Sequence, residues 1–187
     1  LGIKYNDKII KTNLNSHDTI TLHKNFNYLK NKKDFIISGL STNSKKVKKN
    51  YIFFAIKGKK FNGEKFIKEA VYKGASVVVC SKSCQFRDKS ILIIKTKKIR
   101  HILSEISSKF YKLKPKNIIA VTGTNGKTSV SDLFYQILKI NNVRVASIGT
   151  LGIKYNDKII KTNLNSHDTI TLHKNFNYLK NKKINNV

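Results

Sequence analysis

Residues 123–128, with the sequence Gly-Thr-Asn-Gly-Lys-Thr, have the types and spacing that could bind a phosphate. An apolar run of strand type, residues 117–121, leads into this turn, and its Gly-Lys-Thr end opens a segment with helical periodicity. Small residues let backbone N–H groups converge on an anion, and the start of a helix adds N–H groups and the positive end of its dipole. The pattern predicts a mononucleotide-binding loop, with Lys127 reaching the terminal phosphates and the Thr128 hydroxyl binding Mg²⁺.

The predicted phosphate site includes Lys127 as the catalytic residue and Thr128 as the metal ligand. Its members are Gly123, Thr124, Asn125, Gly126, Lys127, Thr128 and Ser129. The strict form of the motif would have a glycine five residues before Gly126, where this chain has Val121, so a chance surface turn is the alternative. The strand-like run before the loop and the amphipathic segment after it favour the nucleotide site.

The segment after the loop predicts a helix with one buried face. That face consists of Val130, Leu133, Phe134, Ile137 and Leu138. Residues 141–142, Asn-Asn, predict a left-handed stop. A strand over residues 143–148 and a final amphipathic helix, capped by Asp168 or Thr169, complete the predicted elements.

The length of the chain is enough for one ordinary domain or two small ones. The chain has 187 residues, 40% of them hydrophobic, and no apolar run approaches the length of a membrane span, so no membrane association is predicted. It begins at Leu1 rather than Met, and we expect that this is not a natural start. Cys80 and Cys84 have neither zinc-site spacing nor the number needed for a disulfide framework, and Cys80, at the end of an apolar run, is expected to be buried. The absence of a recognisable secretory signal favours the cytosol.

The formal net charge is +28, from 38 Lys and Arg against 10 Asp and Glu, which makes nucleic acid one candidate partner. However, three of these basic residues are arginines, and the lysines are scattered through every segment. Lys, Ile, Asn, Phe and Tyr dominate the chain, as expected of an AT-rich genome, whereas nucleic-acid-binding proteins more often concentrate Arg beside stacking aromatics. The composition therefore disfavours direct binding to nucleic acid, and an anionic small substrate suits the charge equally.

Residues 1–33 are identical to residues 151–183 at every position. A working structural repeat drifts in sequence while keeping its pattern, so identity indicates recent duplication, polypeptide design or an assembly error. The second copy follows the predicted strand 143–148 directly, whereas the first has nothing upstream with which to pair. We therefore predict that the first copy is not native to its place and packs poorly, and that the second continues the nucleotide domain.

Residues 34–114 predict a small α/β domain, and residues 115–187 predict a second, nucleotide-binding α/β domain, which the family resemblance described below implies is incomplete. Strands are predicted at 35–37, 51–56, 76–80 and 91–95, and helices at 64–73 and 98–112. The apolar face of the first of these helices would contain Phe66, Ile67, Ala70 and Val71, with Gly74 as the stop. The boundary is placed at Pro115, the chain's one proline, in a lysine-rich stretch.

Several local patterns resemble those of the Mur ligase family. Residues 43–47, Asn-Ser-Lys-Lys-Val, are similar to the Asp-Ser-Arg-x-Val segment of the family's amino-terminal domain. Residues 52–67 look like that domain's Leu-Phe-Val-Ala-x-x-Gly…Asp-Gly…Phe-Ile pattern. Residues 123–128 resemble the family's ATP loop, and residues 148–152 resemble the segment that follows it. The resemblance covers residues 34–183.

This resemblance implies an ATP- and Mg²⁺-dependent ligase of peptidoglycan synthesis, acting as a cytoplasmic monomer. Its reaction would add the third amino acid, diaminopimelate or lysine, to UDP-N-acetylmuramoyl-L-alanyl-D-glutamate through an acyl phosphate. Residues 34–114 would bind the UDP-sugar, and the domain from residue 115 would bind ATP. The implied UDP-sugar-peptide contacts are Ser44, Lys59, Lys60, Phe61, Asn165 and Ser166. From the residues alone, a turn-forming role for Ser44 and a solvated surface for Lys59 and Lys60 stay open as alternatives.

The resemblance also implies parts that lie beyond Val187. These are the family's metal-binding Glu, its carbamylated Lys and the carboxy-terminal domain that selects the amino acid. We therefore expect a fragment that binds ligands and does not ligate. Two alternatives belong to other classes: a basic nucleic-acid-binding module with a phosphate loop, and a non-functional product of duplication and truncation.

Overall fold

The computed structural model describes residues 2–5, 8–11, 20–22, 35–58, 61–150, 152–156, 158–160 and 168–187. The chain forms two compact units, unit 1 (Leu1–Phe110) and unit 2 (Tyr111–Val187), so that unit 2 starts shortly before Pro115. Both units combine strands and helices, which confirms the predicted α/β class. No helix within the described ranges is long and apolar enough to cross a membrane.

Unit 1 opens with two short antiparallel pairs of strands. β1 (Gly2–Tyr5) pairs with β2 (Lys8–Lys11), and β3 (Ile20–Leu22) pairs with β4 (Phe35–Ile37). The predicted strand at residues 35–37 is therefore confirmed, and its partner lies within the first copy of the repeat.

A four-stranded parallel sheet lies at the centre of unit 1. Its strands follow one another in chain order: β5 (Gly39–Ser41), β6 (Tyr51–Phe54), β7 (Ala75–Cys80) and β8 (Leu92–Lys95). Parallel sheets are covered on both faces, so their strands read as continuous apolar runs. Residues 52–54 and 77–79 are accordingly almost fully buried. The three predicted strands over this region are confirmed as β6, β7 and β8, whereas β5 has no clear sequence signal.

Unit 1 also contains the helices α1 (Ile67–Tyr72), between β6 and β7, and α2 (Ile99–Phe110), after β8. A 3₁₀ turn, Gly63–Phe66, precedes α1, and the Asn62 side chain caps it by accepting the Glu64 N–H at 3.0 Å. Ile67 and Ala70 are buried as predicted, but the prediction for Phe66 is wrong: it is exposed, because it lies in the 3₁₀ turn and outside the α-helical periodicity.

Gly74 ends α1 as the sequence predicts. Its φ of +101° is one that side chains with a Cβ rarely adopt. A Cβ at this position would also lie 2.8 Å from the Lys49 Cα, so both backbone conformation and close approach require glycine.

Cys80 and Cys84 are both buried thiols in the core of unit 1, which confirms the expectation for Cys80. Burial, with a smaller contribution from the neighbouring Cys84, raises the pKa of the Cys80 thiol to about 12. A thiol with so high a pKa is a poor nucleophile at neutral pH. We therefore assign Cys80 a packing role in the core.

The described residues of unit 2 form two α-helices and an antiparallel sheet. Its elements are α3 (Lys127–Ile140), β9 (Ser147–Gly149), β10 (Gly152–Tyr155), β11 (Lys158–Ile160) and α4 (Thr169–Asn181), with the sheet in the order β11-β10-β9. Its small core consists of Ala146, Ile153, Leu179 and Ile184.

The ends of the unit 2 helices follow the predicted signals. Asp168 caps α4, because its Oδ1 accepts the Thr171 N–H at 2.7 Å. After α3, Asn142 has a φ of +58°, the predicted left-handed stop. The strand predicted at residues 143–148 is reduced to β9, with an isolated parallel bridge at Val145.

The two copies of the repeat form the same hairpin. In β1–β2, Ile3 is opposite Ile10, and in β10–β11 the equivalent Ile153 is opposite Ile160. The first copy does not need an upstream strand with which to pair, because β1 pairs with β2. How the side chains of the first copy pack lies outside the described residues.

Identical residues further along the two copies differ in conformation. The sequence Ile-Thr-Leu forms strand β3 at residues 20–22 and part of helix α4 at residues 170–172. Propensity alone does not decide between these states, since tertiary contacts commonly override it.

His173 is a half-buried histidine on α4. Its ring meets the Phe176 ring edge to face at 6.1 Å, and among the described residues its Nδ1 has no hydrogen-bond partner. Burial, together with the nearby Lys114 ammonium, lowers the pKa of His173 below its ordinary value of 6.5. Folding therefore favours the neutral imidazole.

This lowered pKa predicts a pH-dependent stability of unit 2. Below pH 6.5 the unfolded chain binds a proton at His173 that the folded chain resists, so the free energy of unfolding should decrease as pH falls through 6.5. Thermal unfolding of His173→Gln across this range should show a smaller decrease. His101→Gln, at an exposed position on α2, is the matched control and should keep the wild-type dependence.

Candidate nucleotide-binding site

The segment that leads into the phosphate loop is held by the last residues of the chain. The Asn117 N–H donates to the Asn185 carbonyl at 2.8 Å, and the Ile119 N–H donates to the Val187 carbonyl at 2.8 Å. Asn117 and Asn186 form an isolated parallel bridge, so the strand predicted over residues 117–121 is not a regular strand.

Asn186 joins this segment to the approach of β9. Its carbonyl accepts the Ala146 N–H at 2.9 Å, and its side-chain amide donates to the Arg144 carbonyl at 2.9 Å. The same side chain accepts a hydrogen bond from the Asn117 amide at 2.8 Å. Residues 185–187 therefore lie between the residues before the loop and those before β9.

Two glycines give the loop its shape. Gly126, the residue before α3, has a φ of +75°, and a Cβ placed there would meet nothing within 4 Å. Conformation therefore requires this glycine, while the space beside it is open. Gly123 also has a positive φ, of +148°. A residue with a Cβ would be strained in the backbone conformation of either glycine. The space beside Gly126 is open.

Lys127 folds back over the loop that precedes it. Its Nζ donates to the Gly123 carbonyl and, at 2.9 Å, to the Thr124 carbonyl. An ammonium has three N–H donors, so these two contacts leave one for a ligand. The positive charge is therefore fixed at the loop before any anion arrives.

The N-terminus of α3 adds a second source of positive potential. The first intrahelical bond runs from the Val130 N–H to the Gly126 carbonyl at 2.9 Å, and no side chain caps the terminus. The N–H groups of the first turn have no acceptor within a helix, which makes such an end an anion site. All residues from 121 to 130 are exposed, so a ligand has access.

The helix α3 has the predicted position, but its predicted buried face is wrong. The four positions Val130, Leu133, Phe134 and Ile137 are exposed, Leu133 by 59%, and Leu138 is half-buried. The helix instead packs through Tyr135, which is buried. Within the described residues nothing covers the apolar stripe, because β9 and β10 lie against a more polar side of the helix.

Polar contacts hold α3 against the sheet of unit 2. The hydroxyls of Ser131 and Ser147 lie 2.8 Å apart, and Lys154 donates to Asp132 at 2.5 Å. The Lys154 ammonium also lies 4.7 Å from the centre of the Tyr135 ring. The hydrogen bond from Lys154, followed by one from Gln136, lowers the pKa of the Asp132 carboxyl. These contacts fix the helix that carries the loop.

In unit 1, the candidate sugar-site residue Ser44 is buried and faces inward. It begins the 3₁₀ turn Ser44–Lys46, which Asn43 caps by accepting the Lys45 N–H at 2.9 Å. The Ser44 hydroxyl donates to Glu69 Oε2 at 2.7 Å. A ligand can therefore only donate to this oxygen, and the turn-forming alternative also has direct structural support.

Glu69 is the partner of Ser44 that the sequence does not reveal. Its other oxygen pairs with Lys73 at 2.9 Å, and the pKa of its carboxyl is lowered by the Ser44 hydrogen bond first and by Lys73 second. The i, i+4 spacing predicts the ion pair with Lys73. Ser44 lies too far along the chain for any local pattern to indicate that contact.

The other candidate sugar-site residues fall into two groups. Phe61 is 75% exposed, and its carbonyl accepts the Gly58 N–H at 2.8 Å, which closes the turn that carries it. Lys59, Lys60, Asn165 and Ser166 lie outside the described residues. The described ranges contain no cluster of three His, Cys, Asp or Glu that could hold a metal. Thr128 therefore stays a predicted ligand.

Both units match models of one protein family. Residues 36–111 match the model described as "Mur ligase family, catalytic domain", and residues 121–187 match the "Mur ligase middle domain". The second range begins at Val121 and so includes the whole phosphate loop.

Curated relatives and a solved structure agree with these matches. The chain is 45% identical over 121 residues to the UDP-N-acetylmuramoyl-L-alanyl-D-glutamate--2,6-diaminopimelate ligase of Rickettsia montanensis, covering 63% of this chain and 24% of the relative. To the enzyme of the same name from Aquifex aeolicus it is 37% identical over 141 residues, covering 74% and 28%. A solved structure of a ligase with this name is 25% identical, with a TM-score of 0.69, covering 81% of this chain and 31% of that one.

The chain spans about a quarter of the length of the curated relatives that it matches. The two family models nevertheless cover most of both units, and the relatives share one name. This chain belongs to the Mur ligase family.

Proposed function

We propose that this chain supplies the ATP-binding loop and the UDP-sugar-binding region of a cytoplasmic ligase of peptidoglycan synthesis. The reaction would join an amino acid to UDP-N-acetylmuramoyl-L-alanyl-D-glutamate. The observation that carries the proposal is the phosphate loop, where the Lys127 ammonium is held by two loop carbonyls at an uncapped helix N-terminus. The names of the curated relatives favour diaminopimelate as the amino acid.

The residues of the loop fit a nucleoside triphosphate bound with Mg²⁺. Lys127 and the N–H groups at the start of α3 would offset the charge of the phosphates, and Thr128 would hold the metal. ATP would supply the phosphoryl group that activates the substrate carboxylate. Gly126 leaves open space where a Cβ would stand, which suits close approach of a phosphate to the backbone.

The UDP-sugar would bind to unit 1, by the proposal, through Ser44, Phe61 and the basic residues Lys59 and Lys60. Because the Ser44 hydroxyl donates to Glu69, Ser44 would accept a hydrogen bond from an N–H or O–H group of the ligand. Asn165 and Ser166, in the second copy of the repeat, would contact the peptide part. This assignment gives the UDP-sugar to unit 1, and the ATP and the peptide part to residues of unit 2.

The direct test is to measure binding of MgATP and of UDP-N-acetylmuramoyl-dipeptide to the purified chain by titration calorimetry. We expect both to bind, and we expect no UDP-tripeptide when diaminopimelate is added. Random DNA, titrated over a range of salt concentrations, tests the nucleic-acid alternative, since counterion release would give a steep salt dependence. Failure to bind MgATP would contradict the proposal, as would DNA binding much tighter than either ligand.

Lys127→Ala should weaken MgATP binding sharply. A charge-assisted contact to phosphate contributes about 1.5–3 kcal/mol, which corresponds to roughly 10- to 150-fold in the dissociation constant. Lys116→Ala removes another exposed lysine, just outside the loop, and should change the affinity little. Equal losses from the two substitutions would indicate diffuse attraction to a basic surface.

Ser44→Ala should weaken binding of UDP-N-acetylmuramoyl-dipeptide and leave MgATP binding unchanged. One neutral hydrogen bond contributes about 0.5–1.5 kcal/mol, or roughly two- to twelvefold in affinity. Ser38→Ala, which removes an exposed hydroxyl of the same unit bonded to the Lys49 carbonyl, is the control. If Ser44→Ala lowers only the melting temperature and not the affinity, Ser44 forms a turn and does not bind the sugar.

A further inference from the structure

The duplicated segment gives this chain two copies of one hairpin. β1–β2 and β10–β11 have the same residues and the same register, with Tyr5 opposite Lys8 in the first and Tyr155 opposite Lys158 in the second. A hairpin of this kind keeps its register through its own pairing and turn. The two hairpins therefore present the same side chains in the same order along their strands.

The second hairpin makes a defined set of contacts with residues outside the repeat. β10 pairs antiparallel with β9, with Ile153 opposite Ile148. Ile153 is only 3% exposed and packs in the core that contains Ala146 and Ile184. Backbone pairing and apolar burial thus hold β10 in place.

Charged and aromatic contacts add specificity to the same position. Lys154 donates to Asp132 of α3 at 2.5 Å and lies over the Tyr135 ring at 4.7 Å. Every group that the hairpin contributes to these contacts also exists in β1–β2, as Ile3 and Lys4. Either hairpin could therefore make these contacts with β9 and α3. The two differ only in how they are connected to the rest of the chain.

We propose that the β1–β2 hairpin of one chain can replace the β10–β11 hairpin on β9 and α3 of a second copy of this chain. Reciprocal replacement would give a dimer with closed symmetry. The exchange involves the hairpin alone, because residues 20–22 form a strand where the equivalent residues 170–172 are helical. Helix α4 would stay in its own unit.

Connectivity favours the native hairpin in the unsubstituted protein. Residues 150–151 join β9 to β10, so placing the native hairpin costs almost no loop-closure entropy. The first hairpin, by contrast, must leave its contacts with α2 and β3 and reach a second molecule. The exchanged dimer should therefore be a minor species in the wild type. It should become the major species when the native hairpin is impaired and the first hairpin is intact.

A pair of variants with identical composition tests this. Ile153→Asp places a charge at the buried position of the native hairpin, and Ile3→Asp makes the same change in the first copy. By light scattering after size exclusion, Ile153→Asp should be dimeric or larger, with a melting temperature that rises with protein concentration. Ile3→Asp and the double variant should be monomeric. A monomeric Ile153→Asp, as unstable as the double variant, would overturn the proposal.

A milder pair serves if Ile153→Asp does not fold. Asp132→Lys repels Lys154, and adding Lys4→Glu gives the first hairpin the complementary charge, whereas adding Lys154→Glu gives it to the native hairpin. These two double variants again have the same composition. The variant with Lys4→Glu should contain the larger dimer fraction at every concentration, and equal fractions in both would overturn the proposal.

Discussion

The candidate nucleotide site depends on the pairing of residues 185–187 with the two segments beside them. Those three residues bind residues 117–119 on one side and residues 145–146 on the other through backbone hydrogen bonds. The loop that follows has no buried residue of its own from 121 to 130, so packing does not position it. Its placement comes from this short ladder at one end and from the contacts of α3 at the other. A site assembled in this way is determined by backbone geometry rather than by a core.

The sequence predicts those parts of the fold that local chemistry determines. Continuous apolar runs gave β6, β7 and β8, because a covered parallel strand needs apolar residues on both faces. Asp168, Gly74 and Asn142 end or begin helices through their own side chain or conformation. The burial of α3 could not be predicted in the same way. Periodicity shows that a helix is amphipathic, but the neighbouring elements decide which face is covered. Here β9 contacts Ser131, and Lys154 of β10 contacts Asp132 and the Tyr135 ring.

The repeat separates local from tertiary determinants within one molecule. The hairpin forms in both copies with one register, so its pairing is encoded in its own residues. The Ile-Thr-Leu segment is a strand beside β4 in one copy and a helical turn after the Asp168 cap in the other. Two of its three residues, Ile and Thr, are β-branched, which fits a strand, but the apolar spacing of residues 170–179 fits a helix that buries Leu179. Context therefore selects between two states that the same residues permit.

The excess of lysine makes charge a weak guide to the site, and geometry has to replace it. With a formal charge of +28, any anion is attracted to much of this surface, and salt would screen that attraction. At Lys127 geometry supplies what charge does not, because two carbonyls of the loop fix its ammonium beside an uncapped helix end. Ser44 is fixed in the same manner, by a carboxylate that Lys73 holds in place. In both units the candidate residue is positioned by hydrogen bonds before any ligand binds, so less conformational entropy is lost when it does.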